Sequence, residues 1–269
     1  MLPELFSKIK HTITQFIQQF KIILPRTLHP QGRPLKIKPE DALTFAVYQH
    51  TSTRATKKSV YDDFKPALPC SYKTLVESMN RMAPVVARIL FLIMRLGRTY
   101  GHVVKYTDAT DIPVCLKKNA DKHKVMKGLA EWGRSSKGFY YGLKMTMTRD
   151  VHGNILGLRF IAPCANDRDI FRQVNKDISG IIVADAGYVS KQLERDMNIE
   201  HIRWVLIKPY KTMKKIMTAW QDRLYRSRFQ IEFDFRSLKL FHGLVTSLPR
   251  SVNGYIANYL HAILSFVIA

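Results

Sequence analysis

The first hundred residues carry a helical pattern of hydrophobic positions. Apolar side chains recur at three- and four-residue spacing over residues 5–20, which places them on one face of a helix. A second helix is expected to begin at Pro39, followed by two acidic residues, since carboxylates are favoured at the positive end of a helix. A third helical region covers 71–96 and should be interrupted at Pro84, because proline removes a helix hydrogen bond. These elements predict a small helical N-terminal domain over residues 1–100.

Beyond residue 101 the pattern changes to short strands that alternate with helices. The predicted elements are, in order, a strand over 102–109, a hairpin over 140–163, a helix over 166–178, a strand over 181–184 followed by a helix, a strand over 204–209, and one long helix from about Ala219 to Lys239. Such an order favours a mixed sheet flanked by helices, which is an α/β architecture. We predict this second domain over residues 101–269.

The composition is that of a folded protein with a large positive charge. Hydrophobic residues make up 46% of the 269 positions, which excludes a disordered chain. Lys and Arg number 43 against 21 Asp and Glu, giving a net charge of +22 and an isoelectric point near 10. Because such a surplus repels itself, it is typical of proteins that a polyanion neutralises. Nucleic acid is the first candidate partner, and an anionic membrane surface is the second.

Several features favour a cytoplasmic protein without a membrane partner. Residues 1–20 mix charged and glutamine side chains with apolar ones, whereas a signal peptide has an unbroken apolar core. The most apolar stretch, 256–269, is shorter than a bilayer span. The three cysteines are widely spaced and form no paired motif, which indicates reduced thiols rather than disulfides or a zinc site.

Two aspartates follow predicted strands, where active sites of open α/β sheets are found. Asp108 comes after the strand VVKYT, and Asp185 comes after the strand IIVA. An acidic residue at a strand end is also a common helix cap or turn former, and this structural role is an alternative for each aspartate. Asp111 is a second possibility for the first position, although the strand leads directly into Asp108.

A third acidic residue lies on the long helix, within a polar face. At about 100° per residue, one arc of about 80° contains Tyr225, Arg228, Glu232, Arg236 and Lys239, which we call the Glu232 face. It is flanked by two apolar ridges, made of Leu224, Ile231, Phe235 and Leu238 on one side and of Phe229, Phe233 and Leu240 on the other. The remaining face is expected to meet solvent and contains Arg223, Arg226, Ser227, Gln230, Asp234 and Ser237. The Glu232 face should therefore point to the sheet or to a cleft.

An enclosed Glu232 should meet a cation, a metal ion or both, since a buried unpaired charge is costly. A local ion pair between Glu232 and Arg228 is the simpler alternative. Three carboxylates on two strand ends and a facing helix form a set of hard oxygen ligands, which Mg²⁺ prefers. Together with the positive charge, this predicts metal-assisted cleavage or transfer of phosphodiesters.

The spacing of four residues resembles a known signature. Tyr225, Arg228, Glu232 and Lys239 match the YREK motif of DDE transposases from bacterial insertion sequences. Over residues 103–269 the chain also resembles the insertion-sequence family numbered nine-eight-two, in the segments 107–115, 123–144, 184–190, 231–239 and 250–260. Ala186 stands where that family commonly has Lys, which removes one phosphate contact.

The resemblance implies a ribonuclease H-like catalytic core with a triad of Asp108, Asp185 and Glu232. The triad would bind two Mg²⁺ ions, with Mn²⁺ as a substitute, and would cleave the element's ends before the freed 3′-hydroxyl attacks target DNA. The implied partners are double-stranded DNA, as terminal inverted repeats and target, and a second copy of the chain in an active homodimer. The helical domain over 1–100 would bind DNA, and the protein would act on the bacterial nucleoid.

Two basic blocks flank the proposed site and predict a DNA-contacting surface. Residues 113–150 contain nine Lys or Arg and three acids, and residues 203–239 contain ten and three. Trp132 and the tyrosines after Lys137 could stack on an unpaired base. The predicted DNA-binding residues are Tyr225, Arg228, Lys239, Trp132 and Lys137.

Two other functions remain alternatives at this stage. A ribonuclease H-like nuclease or junction resolvase would use the same ions but only water as the nucleophile. A basic DNA-binding protein derived from a transposase would bind without cleaving. If Glu232 does not supply the third carboxylate, Glu194 and Glu200 are the next candidates.

Overall fold

The structure of the protein, a computed structural model, describes residues 4–25, 35–52, 54, 56–135, 138–200, 203–207 and 217–269, with 199 and 200 described by their backbone alone. Its helices are α1 (Glu4–Gln19), α2 (Pro39–Thr51), α3 (Lys57–Phe64), α4 (Tyr72–Arg81), α5 (Ala83–Tyr100), α6 (Asp167–Val174), α7 (Lys191–Glu200), α8 (Ala219–Ser227), α9 (Gln230–Leu240) and α10 (Val252–Ile268). Its strands are β1 (Val104–Pro113), β2 (Glu131–Ser135), β3 (Gly138–Asp150), β4 (Ile155–Ile161), β5 (Gly180–Ala184) and β6 (Arg203–Ile207). The chain forms two compact units, Met1–Leu90 with Ser237–Ala269, and Phe91–Arg236.

The first unit is helical and is organised around α2. Residues 42–50 of this helix are all buried, and α2 packs against α1, α4 and α10. Phe6, Phe45, Tyr48 and Phe64 form an aromatic cluster, with ring centroids 4.8 Å apart for Phe6 and Phe45 and 5.1 Å apart for Phe45 and Phe64. Burial of each such side chain contributes about 1.5–3 kcal/mol, so this cluster joins α1, α2 and α3.

The predicted N-terminal helices are confirmed. α1 covers the first helical pattern, and α2 begins at Pro39 as expected. The third region is divided at Met82, so that Pro84 lies in the first turn of α5, where its missing N–H removes no helix hydrogen bond. The short helix α3 was not predicted, since its eight residues carry only two buried positions, Val60 and Phe64.

The apolar C-terminal segment forms α10, which packs against α2 and α4. It therefore belongs to the first compact unit, whereas the division predicted at residue 100 assigned it to the second domain. A boundary drawn along the sequence cannot represent a helix that returns to the N-terminal unit. Within the described ranges, no helix has both the length and the apolar character needed to cross a membrane.

The second unit contains a mixed sheet with the strand order β2-β3-β1-β5-β6, in which β4 also pairs with β3. β1, β5 and β6 run parallel, and β3 is antiparallel to β1, β2 and β4. Beside the sheet, α6 and α7 contribute Phe171 and Leu193 to a core that includes Leu156, Ile182 and Val205. The predicted α/β class with a mixed sheet is confirmed. β2 was not predicted, because its sequence EWGRS lacks an apolar alternation.

The first strand is longer than predicted. β1 continues to Pro113, and it pairs with β3 throughout, so that Asp108 lies opposite Met147. The prediction that the strand ends at Asp108 is therefore wrong. The extension arises from the length of β3, which supplies backbone hydrogen bonds to β1 well beyond the point where β5 ends.

The long C-terminal helix of the second unit is interrupted. The prediction of one helix from Ala219 to Lys239 is wrong, because α8 ends at Ser227 and α9 begins at Gln230. At the break the backbone bonds span three residues, from Arg228 N to Tyr225 O and from Glu232 N to Phe229 O. A uniform rotation of about 100° per residue does not apply across such a turn.

The predicted faces of this helix are correct only in part: Ile231, Phe235 and Leu238 of the first ridge are buried as expected. The ridge of Phe229, Phe233 and Leu240 is exposed, at 51%, 57% and 62%. Asp234 was predicted to meet solvent, yet its side chain is 14% exposed and lies 2.8 Å from Arg149 of β3. Asp234 lies on α9 at helical spacing from the buried residues Ile231, Phe235 and Leu238, so it belongs to the inner face of that helix. The Glu232 face is not enclosed by two ridges.

Candidate active site

Asp108 and Asp185 lie at equivalent positions on neighbouring parallel strands. The last paired residues of β1 and β5 are Thr107 and Ala184, and each aspartate is the next residue of its chain segment. Parallel strands in register bring such residues to the same edge of the pairing. The two carboxylates therefore meet although Asp108 lies inside a strand and Asp185 follows one.

The helix α8 contacts β5 and β6, and it brings Tyr225 to the second aspartate. The Tyr225 hydroxyl donates a hydrogen bond of 2.9 Å to Asp185 Oδ1. Burial and this bond to Asp185 raise the pKa of Tyr225, so the phenol keeps its proton and remains a donor. A second bond, of 2.8 Å between the Tyr106 hydroxyl and Ser227 Oγ, joins α8 to β1.

Arg228, at the break between the helices, joins the first and third carboxylates. Its Nη1 donates to Asp108 Oδ2 at 2.6 Å, and its Nη2 donates to Glu232 Oε1 at 2.9 Å. Arg228 is only 9% exposed, and its guanidinium carbon lies 5.6 Å from the centroid of the Tyr225 ring. The local pair between Arg228 and Glu232 is thus present, and the same guanidinium also reaches across to Asp108.

Burial raises the pKa of Asp108 to about 6. The Arg228 guanidinium and the Ala109 N–H favour the charged form and oppose this shift, whereas the charges of Asp185 and Glu232 add to it. Asp185 and Glu232 therefore both lie within electrostatic reach of Asp108. With one arginine among three carboxylates, the cluster retains a negative charge that attracts a further cation.

The chemistry of these donors fits a hard divalent cation, since all are carboxylate oxygens. Their present arrangement does not form a metal site. Within the described ranges, no three Asp, Glu, His or Cys side chains are grouped so as to hold a metal ion. Asp108 Oδ2 and Glu232 Oε1 both accept from Arg228, and Asp185 Oδ1 accepts from Tyr225. A metal ion between these carboxylates would therefore require Arg228 to move.

The rival acids lie elsewhere. Asp111 is three residues beyond Asp108 on β1, so its side chain points to the opposite face of the sheet. Glu194 lies in the first turn of α7. The side chain of Glu200 is outside the described part of the structure.

The remaining predicted DNA-binding residues belong to other segments of the chain. Trp132 lies on β2, is 47% exposed, and packs edge-on against Tyr141 with ring centroids 5.7 Å apart. Lys239 lies in the last turn of α9, in the part of that helix that belongs to the first compact unit. Lys137 is outside the described residues.

Two contacts that hold α8 and α9 against the sheet were not predicted from the sequence. Ser227 and Asp234 were both assigned to a solvent face, yet one binds Tyr106 and the other binds Arg149. Burial raises the pKa of Asp234 to about 6, and Arg149 opposes that shift. Ser227 and Phe229 have moderate helix propensities and Arg228 has a high one, so propensity is only a weak signal of the break.

The chain is similar to a known protein family and to solved structures of transposases. A family model described as "Transposase DDE domain" matches residues 98–251. A cryo-EM structure of the piggyBac transposase synaptic complex with hairpin DNA is similar in fold, with a TM-score of 0.54, 9% identity, and coverage of 98% of this chain and 72% of that chain. A crystal structure of a pre-cleavage Mos1 transpososome also matches, with a TM-score of 0.26 and 10% sequence identity. The match covers 96% of this chain and 85% of that chain. No curated protein sequence matches the chain.

Proposed function

The chain belongs to the transposase DDE domain family, whose members cleave DNA and transfer strands, and we propose that Asp108, Asp185 and Glu232 are its catalytic acids. One observation carries the assignment: Arg228 binds Asp108 and Glu232 together, and Tyr225 binds Asp185 beside them. Residues from β1, the end of β5 and the start of α9 thereby meet at one point. The strand order of the sheet and the similarity to piggyBac support a ribonuclease H-like core.

DDE transposases use divalent metal ions, and we propose two Mg²⁺ ions here, with Mn²⁺ as a substitute. Asp108, Asp185 and Glu232 would hold them. Bound metal ions would stabilise the charge that develops on the attacking and leaving oxygens of a phosphodiester. The fit requires the Arg228 guanidinium to leave its two carboxylates, because it supplies the positive charge between them at present.

Arg228 and Tyr225 hold the acids in place until then. The guanidinium is planar and binds two carboxylates at once, so it fixes Asp108 relative to Glu232. The Tyr225 hydroxyl orients Asp185 through a single bond. Once released, Arg228 would be available to a DNA phosphate, and we place Lys239, Trp132 and Lys137 among the further DNA contacts.

The proposed substrate is double-stranded DNA, first as the terminal inverted repeats of an insertion sequence and then as target. The net charge of +22 supports a polyanionic partner. We further propose a bacterial element of the family numbered nine-eight-two, a homodimer in the active complex, and action at the nucleoid in the cytoplasm. The helical N-terminal residues would add DNA contacts.

A strand-transfer assay tests this function against a nuclease or a resolvase. The protein would receive Mg²⁺, a supercoiled target plasmid and a labelled duplex that carries an already cleaved element end with a free 3′-hydroxyl. A transposase joins the label to the plasmid, and Asp185→Asn should abolish this joining. Cleavage of DNA without joined product would contradict the proposal and favour a nuclease that uses only water.

A further inference from the structure

A cavity of about 630 Å³ lies within the first compact unit. The end of α2, the start of α3, one side of α4 and the segment 240–258 form its walls. Its volume is in the range of small-molecule sites, and the acidic cluster contributes no residue to it. The cavity is thus a separate feature of the helical unit.

The cavity has a positively charged lining. Its cationic residues are Arg54, Lys57, Lys58 and Arg250, and none of its lining residues is Asp or Glu. Arg54 and Lys58 form ion pairs with acidic residues outside the lining, Asp63 and Asp62. The ion pairs of the described residues do not include Lys57 or Arg250. An anionic occupant is the complement of such a lining.

Lys57 is the most enclosed of these cations. Its ammonium donates a hydrogen bond to Asn80 Oδ1, which is a neutral partner. Burial lowers the pKa of Lys57 to about 8, and no carboxylate offsets the shift. An anion in the cavity would supply the missing counter-charge.

The buried end of the cavity contains two hydrogen-bond acceptors without a partner. Gln49 is 5% exposed and His50 is 3% exposed, and both line the cavity. His50 Nδ1 lies 2.8 Å from the carbonyl oxygen of His242, so it carries the proton and leaves Nε2 as an acceptor. In the described part of the chain, neither this Nε2 nor Gln49 Oε1 has a partner. A ligand that donates N–H groups would satisfy them.

An aromatic side chain completes the set. Phe241 lines the cavity and is 59% exposed, although it is a large apolar residue. Tyr72, which is 39% exposed, lines it as well. Exposed aromatic rings beside cations are the usual platform on which nucleic-acid bases stack.

We propose that this cavity binds one unpaired nucleotide of a DNA strand. The base would stack on Phe241 with its amino group directed to Gln49 and His50, and the phosphate would lie among Lys57, Lys58 and Arg250. An amino-bearing base, an anionic phosphate and an aromatic platform are together the chemistry of a nucleotide. The proposal goes beyond the catalytic assignment and does not depend on it, because binding occurs without metal or cleavage.

Fluorescence anisotropy in EDTA tests the proposal with the full chain. The probes are two labelled duplexes of the same length and sequence, one with a single bulged adenosine and one with a bulged abasic site. The wild-type protein should bind the adenosine bulge more tightly by about fivefold or more, since that is the lower end of what stacking of one base contributes. Equal affinity for the two duplexes would overturn the proposal.

Matched variants test whether the cavity causes the preference for the adenosine bulge. Phe241→Ala should lose it, whereas Phe91→Ala, which removes a similarly exposed ring that does not line the cavity, should keep it. Lys58→Gln should weaken binding of the bulged duplex more than Lys73→Gln, since both lysines pair with an acid four residues on but only Lys58 lines the cavity. Thermal unfolding verifies that each variant folds.

A competition arm separates the two possible sources of a nucleotide. Free dAMP is added to the complex with the adenosine bulge. Loss of the adenosine preference at millimolar dAMP supports one shared nucleotide site. If dAMP binds while the wild-type protein shows no preference between the duplexes, the cavity serves a free nucleotide, and the proposal for a DNA strand fails. A preference that survives Phe241→Ala would also overturn it.

Discussion

At the scale of single residues, Arg228 governs the electrostatics of the acidic cluster. It is 9% exposed and binds Asp108 and Glu232. Without it, two carboxylates would face each other near Asp185 with no cation between them. The guanidinium therefore stabilises the cluster in the absence of metal, and it lies between the carboxylates that we propose as metal ligands.

Replacing Arg228 with Gln should lower the free energy of unfolding in metal-free buffer by about 1–3 kcal/mol. The lower part of this range reflects the exposure of Glu232, whose side chain is 57% exposed and well screened. Mg²⁺ should raise the melting temperature of Arg228→Gln more than that of the wild type, since the metal no longer competes with the guanidinium. Calorimetry with and without Mg²⁺ measures both effects, and an equal metal-induced shift in the two proteins would contradict this account.

Buried histidines of the helical unit should make the protein sensitive to acid. Burial lowers the pKa of His50 from 6.5 to about 4 and lowers that of His261 as well. A histidine with a depressed folded-state pKa stabilises the fold above pH 6.5, and this stability is lost as the pH falls toward 4.

Between pH 7 and pH 5, His50 should account for a loss of about 2 kcal/mol in unfolding free energy. His50→Gln, which keeps a donor toward the His242 carbonyl, should reduce the difference between the two pH values by that amount. His11→Gln on the exposed side of α1 is the matched control and should change nothing. Urea unfolding at the two pH values measures this, and identical pH profiles for wild type and His50→Gln would be inconsistent with a buried neutral ring.

At the scale of secondary-structure elements, the positions of Asp108 and Asp185 were predicted more accurately than the course of the helix that carries Glu232. The meeting of Asp108 and Asp185 was predictable because the two predicted strands, VVKYT and IIVA, pair in parallel, and their pairing with each other ends at Thr107 and Ala184. The length of β1 was not, since it depends on how far β3 extends beside it. The strand β2 was hidden because EWGRS lacks the apolar alternation of a half-buried strand.

The break at Arg228 and Phe229 is the main feature that periodicity could not show. Angular arithmetic assumes a continuous helix, and one turn of three-residue bonds redirects everything beyond it. The contact between Arg228 and Glu232 survives because these residues are only four apart. The assignment of Asp234 to solvent fails because α9 presents that residue to Arg149 instead.

Lys239→Ala and Arg226→Ala test the role of α9 in joining DNA. We expect Lys239→Ala to lower strand transfer about tenfold or more, as loss of a phosphate contact. Arg226 is 77% exposed and pairs with Asp222 four residues earlier, so Arg226→Ala should weaken only non-specific binding. Both variants should melt like the wild type. Equal losses of strand transfer from the two substitutions would show that Lys239 has no special place on the DNA.

At the scale of the whole molecule, the net charge of +22 should dominate binding to linear duplex DNA. Released counterions make the logarithm of affinity fall linearly with the logarithm of salt concentration, and we expect a slope of several units. Anisotropy titrations between about 50 and 200 mM salt measure the slope. A flat dependence would mean that the positive surface is not used on phosphates.

The central claim is that Asp108, Asp185 and Glu232 form the catalytic centre, and cleavage of a duplex carrying the element's ends in Mg²⁺ tests it most directly. We expect Asp108→Asn, Asp185→Asn and Glu232→Gln each to reduce cleavage to background while DNA affinity stays near that of the wild type, because the carboxylates hold the metal and the net charge holds the DNA. Asp111→Asn and Glu194→Gln should still cleave. Near-wild-type cleavage by any one of the first three variants would remove that residue from the centre and contradict the account.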